Sequence, residues 1–410
     1  MFLKNCWYVA AWDHELIDGR MLARTILEEA VLIYKSESGK VVALQDRCCH
    51  RGVPLHLGRR EGDCVRCMYH GLKFDPTGKC IQIPGQEVIP PKLGVKSYPA
   101  VEKDHLVWIW MGDPAKADPA EIIDFPYLRD PQWKGIPDYM HYKANWLLIV
   151  DNLSDFAHLA FVHTKTLGGS EEYAFKTKPV AIERLPRGFR VERWHMDAPP
   201  PPFHNKVLPA ELKGQNVDRR NIGHMQIPGI FFLDSMFSPA GSGSEKGNRE
   251  GTKEYRNCQF MTPETRRTTH FFWVYLNNWE GKNANISRSL HQSLIEGFME
   301  DKHLIEAQQK MLDDDPAFKM LAVAADAALS HFRWTFDKLV AVERSEEVTK
   351  QSEEPGPNPI RTPHQAGLVQ CAALFCTYPA TAAKTALARV TLARMSLALA
   401  VQMKGLGSML

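Results

Sequence analysis

The chain has 410 residues, enough for two or three domains and a large buried core. Its hydrophobic fraction of 44% and charged fraction of 24% are those of an ordinary globular protein, not of a disordered or membrane-spanning one. A formal charge of +2 gives no reason to expect nucleic acid or an anionic membrane as partner. The N-terminal MFLKNCWYVAAWDHE lacks a long apolar core with a small-residue cleavage site, so no export signal is read and the cytoplasm is expected.

Residues 1–115 are expected to be β-rich, from short alternating runs such as Arg24–Tyr34, Lys40–Gln45 and Leu106–Met111 between Gly, Pro and Asp turns. Of nine cysteines, Cys48, Cys49, Cys64, Cys67 and Cys80 fall within 33 residues. In a chain without an export signal such clustering reads as metal binding by reduced thiols. Cys48-Cys49-His50 and Cys67-Met68-Tyr69-His70 form a C-x-H…C-x-x-H pattern, each loop supplying one thiolate and one imidazole. A [2Fe–2S] cluster with two Cys on one iron and two His on the other needs such mixed pairs. Structural zinc is the alternative, although zinc modules usually place like ligands together. Gly52 and Gly71 allow tight paths after the two histidines, and Pro84-Gly85 could form a third, shielding loop. Cys49 and Cys80 are expected to be buried. Residues 41–80 hold seven Lys/Arg (Arg47, Arg51, Arg59, Arg60, Arg66, Lys73, Lys79) against four acids. They form either a docking surface for an acidic electron donor or scattered solvated charge.

Asp113–Asp130, with three prolines, is expected to link to a second domain. There Asn145–Val162 is expected to be helical and contains Asp155-x-x-His158-x-x-x-x-His163. Two imidazoles and a carboxylate are the facial triad of non-haem Fe(II) oxygenases, with open positions for O2. On a regular helix, His158 and His163 would point about 140° apart, so the helix must bulge or end between them. Asp155 and His158 share a face, so the carboxylate could steady the imidazole. Strands are expected between 180 and 280, including Gly188–Trp194, Ile230–Phe237 and Thr268–Tyr275, and a long helix over Ile286–Leu312. On that helix Leu294, Phe298, Asp301 and Ile305 form one stripe. It turns Asp301 towards the core as the third iron ligand, with Glu300 as the alternative. Ser345–Gln365 reads as a polar linker and Ala380–Met403 as a weakly amphipathic helix.

With both motifs in view, residues 5–344 resemble the α subunits of Rieske non-haem iron aromatic oxygenases. The segments NCWYVAAWD, CCHRGVPLHLGRREGDCVRCMYHGLKF, IPGQE, DNLSDFAH and MEDKHLIEAQ are similar to the vanillate O-demethylase, toluenesulfonate methyl-monooxygenase and phenoxybenzoate dioxygenase branches. The resemblance implies an α+β chain with a Rieske domain over 1–115 and a catalytic domain of antiparallel sheet and helices over 116–344. Residues 345–410 form an atypical tail. It implies one Rieske [2Fe–2S] cluster on Cys48, His50, Cys67 and His70, and one mononuclear Fe(II) on His158, His163 and Asp301. Asp155 would relay electrons from a cluster histidine to His158 across subunits of a head-to-tail homotrimer. The implied partners are O2, an aromatic acid and an NADH-dependent reductase with a flavin and a ferredoxin-type cluster. Expected chemistry is phenoxybenzoate-type dioxygenation with ether cleavage. The alternatives are demethylation of methoxybenzoates or hydroxylation of the methyl group of toluenesulfonate, and, in another class, pure electron transfer. Residues 219–237, including His224, Met225, Phe231 and Phe232, are candidate pocket lining, and Arg219, Arg220 or His224 a candidate anion anchor.

Overall fold

The computed structural model describes residues 1–17, 19–168, 182–280 and 285–353. Eleven short strands fill the first 110 residues: β1 (Trp7–Trp12), β2 (Leu22–Ile26), β3 (Glu29–Lys35), β4 (Val41–Gln45), β5 (Arg59–Glu61), β6 (Cys64–Arg66), β7 (Lys73–Phe74), β8 (Cys80–Gln82), β9 (Ser97–Tyr98), β10 (Ala100–Lys103) and β11 (Leu106–Trp110). They form three antiparallel sheets in the orders β1-β11-β10, β2-β3-β4-β9 and β5-β6-β7-β8. The sequence EAVLIYK in β3 is apolar throughout its centre because both its faces are covered. Val31 and Ile33 enter the main core, while Leu32 and Tyr34 join Cys48, Leu55, Val65, Cys67 and Phe74 beneath the Cys/His loops.

The single strand expected over Arg24–Tyr34 is instead a hairpin of β2 and β3, with Ile26 opposite Glu29. Its turn residues Leu27 and Glu28 have φ of 51° and 68°, values that usually require Gly or Asn. Contacts distant in sequence hold them there. Leu27 N–H donates to the Pro263 carbonyl (2.9 Å), Glu28 N–H to the Glu264 carbonyl (2.8 Å), and Leu27 is buried.

The second half is built on one seven-stranded antiparallel sheet: β12 (Asp138–Tyr142), β13 (Ile182–Leu185), β14 (Gly188–Ala198), β15 (Val217–Gln226), β16 (Ile230–Pro239), β17 (Lys253–Pro263) and β18 (Thr269–Asn277). The expected strands are present and run a few residues longer. Every residue of β18, THFFWVYLN, is buried, again because both faces are covered. Phe272, Val274 and Leu276 meet Trp7, Trp12, Trp108 and Trp110 of β1 and β11. Phe271 and Trp273 point the other way, 5.4 and 5.0 Å from the ring of Phe298. The linker Asp113–Asp130 is packed rather than loose, with Ile122 and Phe125 buried and the Phe125 ring 5.3 Å from Phe260.

Four helices matter for the site: α1 (Trp146–Ser154), α2 (Leu159–Val162), α3 (Asn285–Asp314) and α4 (Ala327–Glu353). The Asn145 side chain caps α1 by accepting the Leu147 N–H at 2.9 Å. Trp146 packs on Phe332 and Phe336 of α4, and Asp151 pairs with Arg333 of the same helix. The expected linker at 345 does not begin there, because α4 continues as helix through Glu353. The helix expected over Ala380–Met403 lies outside the described residues. Among the described residues no helix is long and apolar enough to cross a membrane.

Candidate metal centres

The two Cys/His loops close with the same pair of backbone hydrogen bonds. Cys48 N–H donates to Val53 O (2.8 Å) and Gly52 N–H to Cys48 O (2.9 Å). Cys67 N–H donates to Leu72 O (2.8 Å) and Gly71 N–H to Cys67 O (2.9 Å). Both turns need a left-handed residue, supplied by Gly52 (φ 74°) and Gly71 (φ 75°). They bring the buried Cys48 and Cys67 thiols together and leave His50 and His70 exposed, their ring centroids 4.6 Å apart. Burial pushes the Cys48 thiol up to about 11. Bound iron would repay the cost of holding thiolates there. Two inner sulfurs and two outer imidazoles fit a [2Fe–2S] cluster with its histidine-bound iron towards the surface.

Pro84 sits over Gly71, where an added Cβ would lie 2.7 Å from Pro84 Cγ. Gly71→Ala is therefore expected to cost about 1–3 kcal/mol, combining left-handed strain with that clash. Calorimetric Tm and the rate of bleaching of the visible chromophore would both detect it. Cys80 is buried as expected, whereas Cys49, also expected to be buried, is exposed. All seven described cysteines are free thiols. The basic surface is smaller than the sequence suggests. Glu61 pairs with Arg59, Arg66 and Lys73, and those cations hold its carboxyl far below the usual carboxylate range. Arg47 and Arg51, beside the first loop, remain exposed.

The expected single helix over Asn145–Val162 is broken. α1 stops at Ser154, Asp155 is extended (φ −105°, ψ 113°), and His158 and His163 flank the single turn of α2. The break resolves the spacing problem, since the rings now face each other with centroids 5.3 Å apart. Asp301 reaches them from α3, where the whole Leu294, Phe298, Asp301, Ile305 stripe is buried. Its Oδ1 lies 3.0 Å from His163 Nε2 and 3.6 Å from His158 Nε2. One ligand atom from each of the three residues lies within 4.8 Å of the others.

The surrounding hydrogen bonds turn donor atoms towards this point. His163 Nδ1–H donates to Glu300 Oε2 (2.7 Å), which also accepts from the Thr166 hydroxyl (2.6 Å). Glu300, the alternative ligand, therefore steadies His163 instead. His158 Nδ1–H donates to the Asp155 main-chain carbonyl, while the Asp155 carboxylate accepts the Ala157 N–H at 2.7 Å. Within the chain, the hold on His158 thus comes from the Asp155 backbone rather than its side chain. The Asn152 amide donates to Asp301 Oδ1 at 3.0 Å. Glu300 adjoins Asp301 and Asn152 lies three residues before Asp155, but spacing alone does not reveal their partners. His163 is fully buried, and its Nε2, so close to Asp301, has no aligned hydrogen bond. Burial disfavours a proton on His163, yet Asp301 and Glu300 outweigh it and raise the pKa; at His158 burial wins and lowers it. A cation among these three donors would give His163 Nε2 a partner, and two imidazoles with one carboxylate suit Fe(II).

Two family comparisons agree with the two halves. Residues 6–99 match the Rieske [2Fe-2S] domain, and residues 142–342 match the vanillate O-demethylase oxygenase C-terminal domain. The chain is 45% identical over 347 residues to the toluene-4-sulfonate monooxygenase system iron-sulfur subunit of Comamonas testosteroni, covering 84% of this chain and 98% of that one. The chain belongs to the Rieske oxygenases. It is a terminal oxygenase component, with a Rieske [2Fe–2S] cluster and a non-haem iron as its cofactors. This oxygenase is also 34% identical to the dicamba O-demethylase oxygenase component of Stenotrophomonas maltophilia, over 75% of this chain and 88% of that one. The crystal structure of dicamba monooxygenase bound to dicamba superposes with a TM-score of 0.73 at 29% identity, covering 84% of this chain and 99% of that one. A further crystal structure of that enzyme, with non-haem iron and dicamba, superposes with a TM-score of 0.69. In the oxygenase, Glu300→Gln is expected to weaken mononuclear iron binding by about 10–100-fold, as loss of a partner to a ligating histidine typically does. Iron titration followed by metal analysis would measure it, with the cluster spectrum unchanged.

Proposed function

We propose that this oxygenase hydroxylates the methyl group of an aryl acid of the toluene-4-sulfonate type. Electrons would come from NADH through a separate reductase bearing a flavin and a ferredoxin-type cluster. The observation that carries the reading is the 45% identity to the toluene-4-sulfonate monooxygenase subunit along 98% of that relative's length. Demethylation of a methoxybenzoate is the second reading, supported by 30% identity to the vanillate O-demethylase oxygenase subunit of a Pseudomonas species, over 84% of this chain and 96% of that one. These relatives are a sulfonate monooxygenase and O-demethylases rather than phenoxybenzoate dioxygenases, so methyl hydroxylation replaces ether cleavage as the main reading.

Cys48, His50, Cys67 and His70 would hold the cluster, and His158, His163 and Asp301 the iron. When bound, these centres supply one-electron storage and O2 activation. The chain's own residues set the geometry. Glu300 and the Asp155 carbonyl fix both imidazoles with Nε2 inward, and Asn152 holds Asp301 beside them. The balanced reaction converts an aryl methyl group, O2, two electrons and two protons into an aryl carbinol and water. Among the described residues, neither His50 nor His70 contacts Asp155. This fits a relay in which Asp155 meets a cluster histidine of a neighbouring protomer in a homotrimer.

The test is product analysis with purified oxygenase, a reductase, NADH and O2 on toluene-4-sulfonate, vanillate and a phenoxybenzoate. The expected product is 4-(hydroxymethyl)benzenesulfonate, one per NADH and O2 consumed. Formation of two phenols from the diaryl ether, with the sulfonate untouched, would reverse the reading. Mass measurement of the native assembly checks the trimer.

A further inference from the structure

Strand β15 carries three cationic candidates for holding a substrate anion, Arg219, Arg220 and His224, and the pleat divides them. Gly223 marks the iron side: a Cβ there would lie 3.6 Å from the ring of Phe156, two residues before His158. Arg219 shares the Gly223 face. Arg220 and His224 share the other, where Arg220 lies 3.3 Å from Asp234 and His224 lines a small outer cavity with Phe125, Tyr127 and Phe232.

Arg219 stands opposite His195 on β14 and Phe237 on β16, with its guanidinium 5.9 Å from the Phe237 ring centre. It has no carboxylate partner among the described residues. The other arginine on this face, Arg193, is already committed: it covers the Phe156 ring at 4.9 Å, in the field of Asp155. Arg219 and His195 line a cavity of about 320 Å³, within the ordinary range for small-molecule sites. Thr164 and Gly168, from the segment directly after His163, form one wall, and the run Ala198–Pro202 forms another. A half-buried arginine facing a cavity without a carboxylate beside it is a ready partner for an anionic ligand. Burial lowers Arg219 only to about 10, so it stays charged at neutral pH. Burial and the Arg219 charge take His195 down to about 3, so it stays neutral there.

We propose that Arg219, with His195 beside it, binds the single oxyanion group of the substrate in this cavity, and so selects aryl sulfonates or carboxylates over uncharged arenes. The proposal rests on the aryl-acid reading above and adds the residue that recognises the acid.

The experiment is calorimetric titration of the iron- and cluster-loaded full chain with toluene-4-sulfonate and with the uncharged isostere 4-methylbenzenesulfonamide. Turnover of both is measured alongside. Arg219→Gln is expected to weaken sulfonate binding by about 30-fold or more and to leave sulfonamide binding within about two-fold, because only a charged partner is lost. Arg219→Lys is expected to recover part of the loss. Ala198→Asp, which places a neutralising carboxylate in the same cavity, is expected to reproduce the Gln effect if that variant does not fold. Equal weakening of both ligands, unchanged sulfonate binding, or no sulfonate binding by the parent chain would overturn the anchor. Arg219-dependent binding of toluene-4-sulfonate without carbinol formation would sustain the anchor and overturn only the proposed reaction.

Discussion

Asp301→Ala is expected to abolish turnover while leaving the visible chromophore of the oxygenase intact. The carboxylate is the one acidic donor, among the described residues, within reach of both His158 and His163, and it lies on a buried helical stripe that no neighbouring acid can replace. Glu300, adjacent in sequence, points at the other side of His163 and already accepts from Nδ1 and from Thr166. Removing a partner that only orients a ligand typically costs about 10–100-fold, and removing a ligand costs more, on the order of 1,000-fold or beyond. Metal and sulfide analysis should find the two cluster irons and two labile sulfides retained and the third iron lost. Retention of the third iron would mean that Asp301 is not a ligand. Asp301→Asn keeps the side-chain shape but not the charge, and is expected to fall between alanine and the parent chain in iron affinity.

A different signature is expected for Asp155→Asn. His158 is oriented by the Asp155 backbone carbonyl, which the substitution leaves in place, and Asn can still accept the Ala157 N–H. Both metal centres should therefore load normally, and reduction of the cluster by dithionite should be unchanged. Steady-state turnover should fall by about 100-fold or more, the upper end for a group that acts through a ligand's partner. Stopped-flow mixing of the reduced variant with substrate and O2 should show the cluster reoxidising slowly. A variant that reoxidises at the parent rate would rule out Asp155 as the relay. A variant lacking mononuclear iron would instead make the residue structural.

The candidate ligands could be picked out of the sequence because their chemistry is tied to local spacing. Mixed Cys/His pairs distinguish a [2Fe–2S] site from zinc, and the 3.6-residue period places Asp301 on the buried stripe of its helix. What was not legible depends on contacts between distant segments. Nothing in DNLSDFAHLAFVH dictates that α1 ends at Ser154, although the five-residue spacing of the histidines required some break. The hairpin at Leu27 and Glu28 lacks turn residues because Pro263 and Glu264 hold it from the far strand. Strand alternation alone says that Arg219 and Arg220 face opposite ways, but only the approach of Phe156 to Gly223 shows which of them shares the face covered by the Phe156–His158 segment. Nor does the sequence show that Glu61 gathers three of the cations of residues 41–80, since Arg59, Arg66 and Lys73 are separated along the chain.

The indole-rich contact between β1, β11 and the outer face of the large sheet makes the two iron-binding halves thermodynamically inseparable. Trp7, Trp12, Trp108 and Trp110 are each at most 4% exposed, and Phe260, Phe272 and Val274 complete the same buried cluster. Cutting the polypeptide near residue 115 would wet an aromatic patch on both fragments, an invitation to aggregate. Grafting the cluster-binding half of a relative onto this catalytic half would therefore succeed only if the matching tryptophans travelled with it.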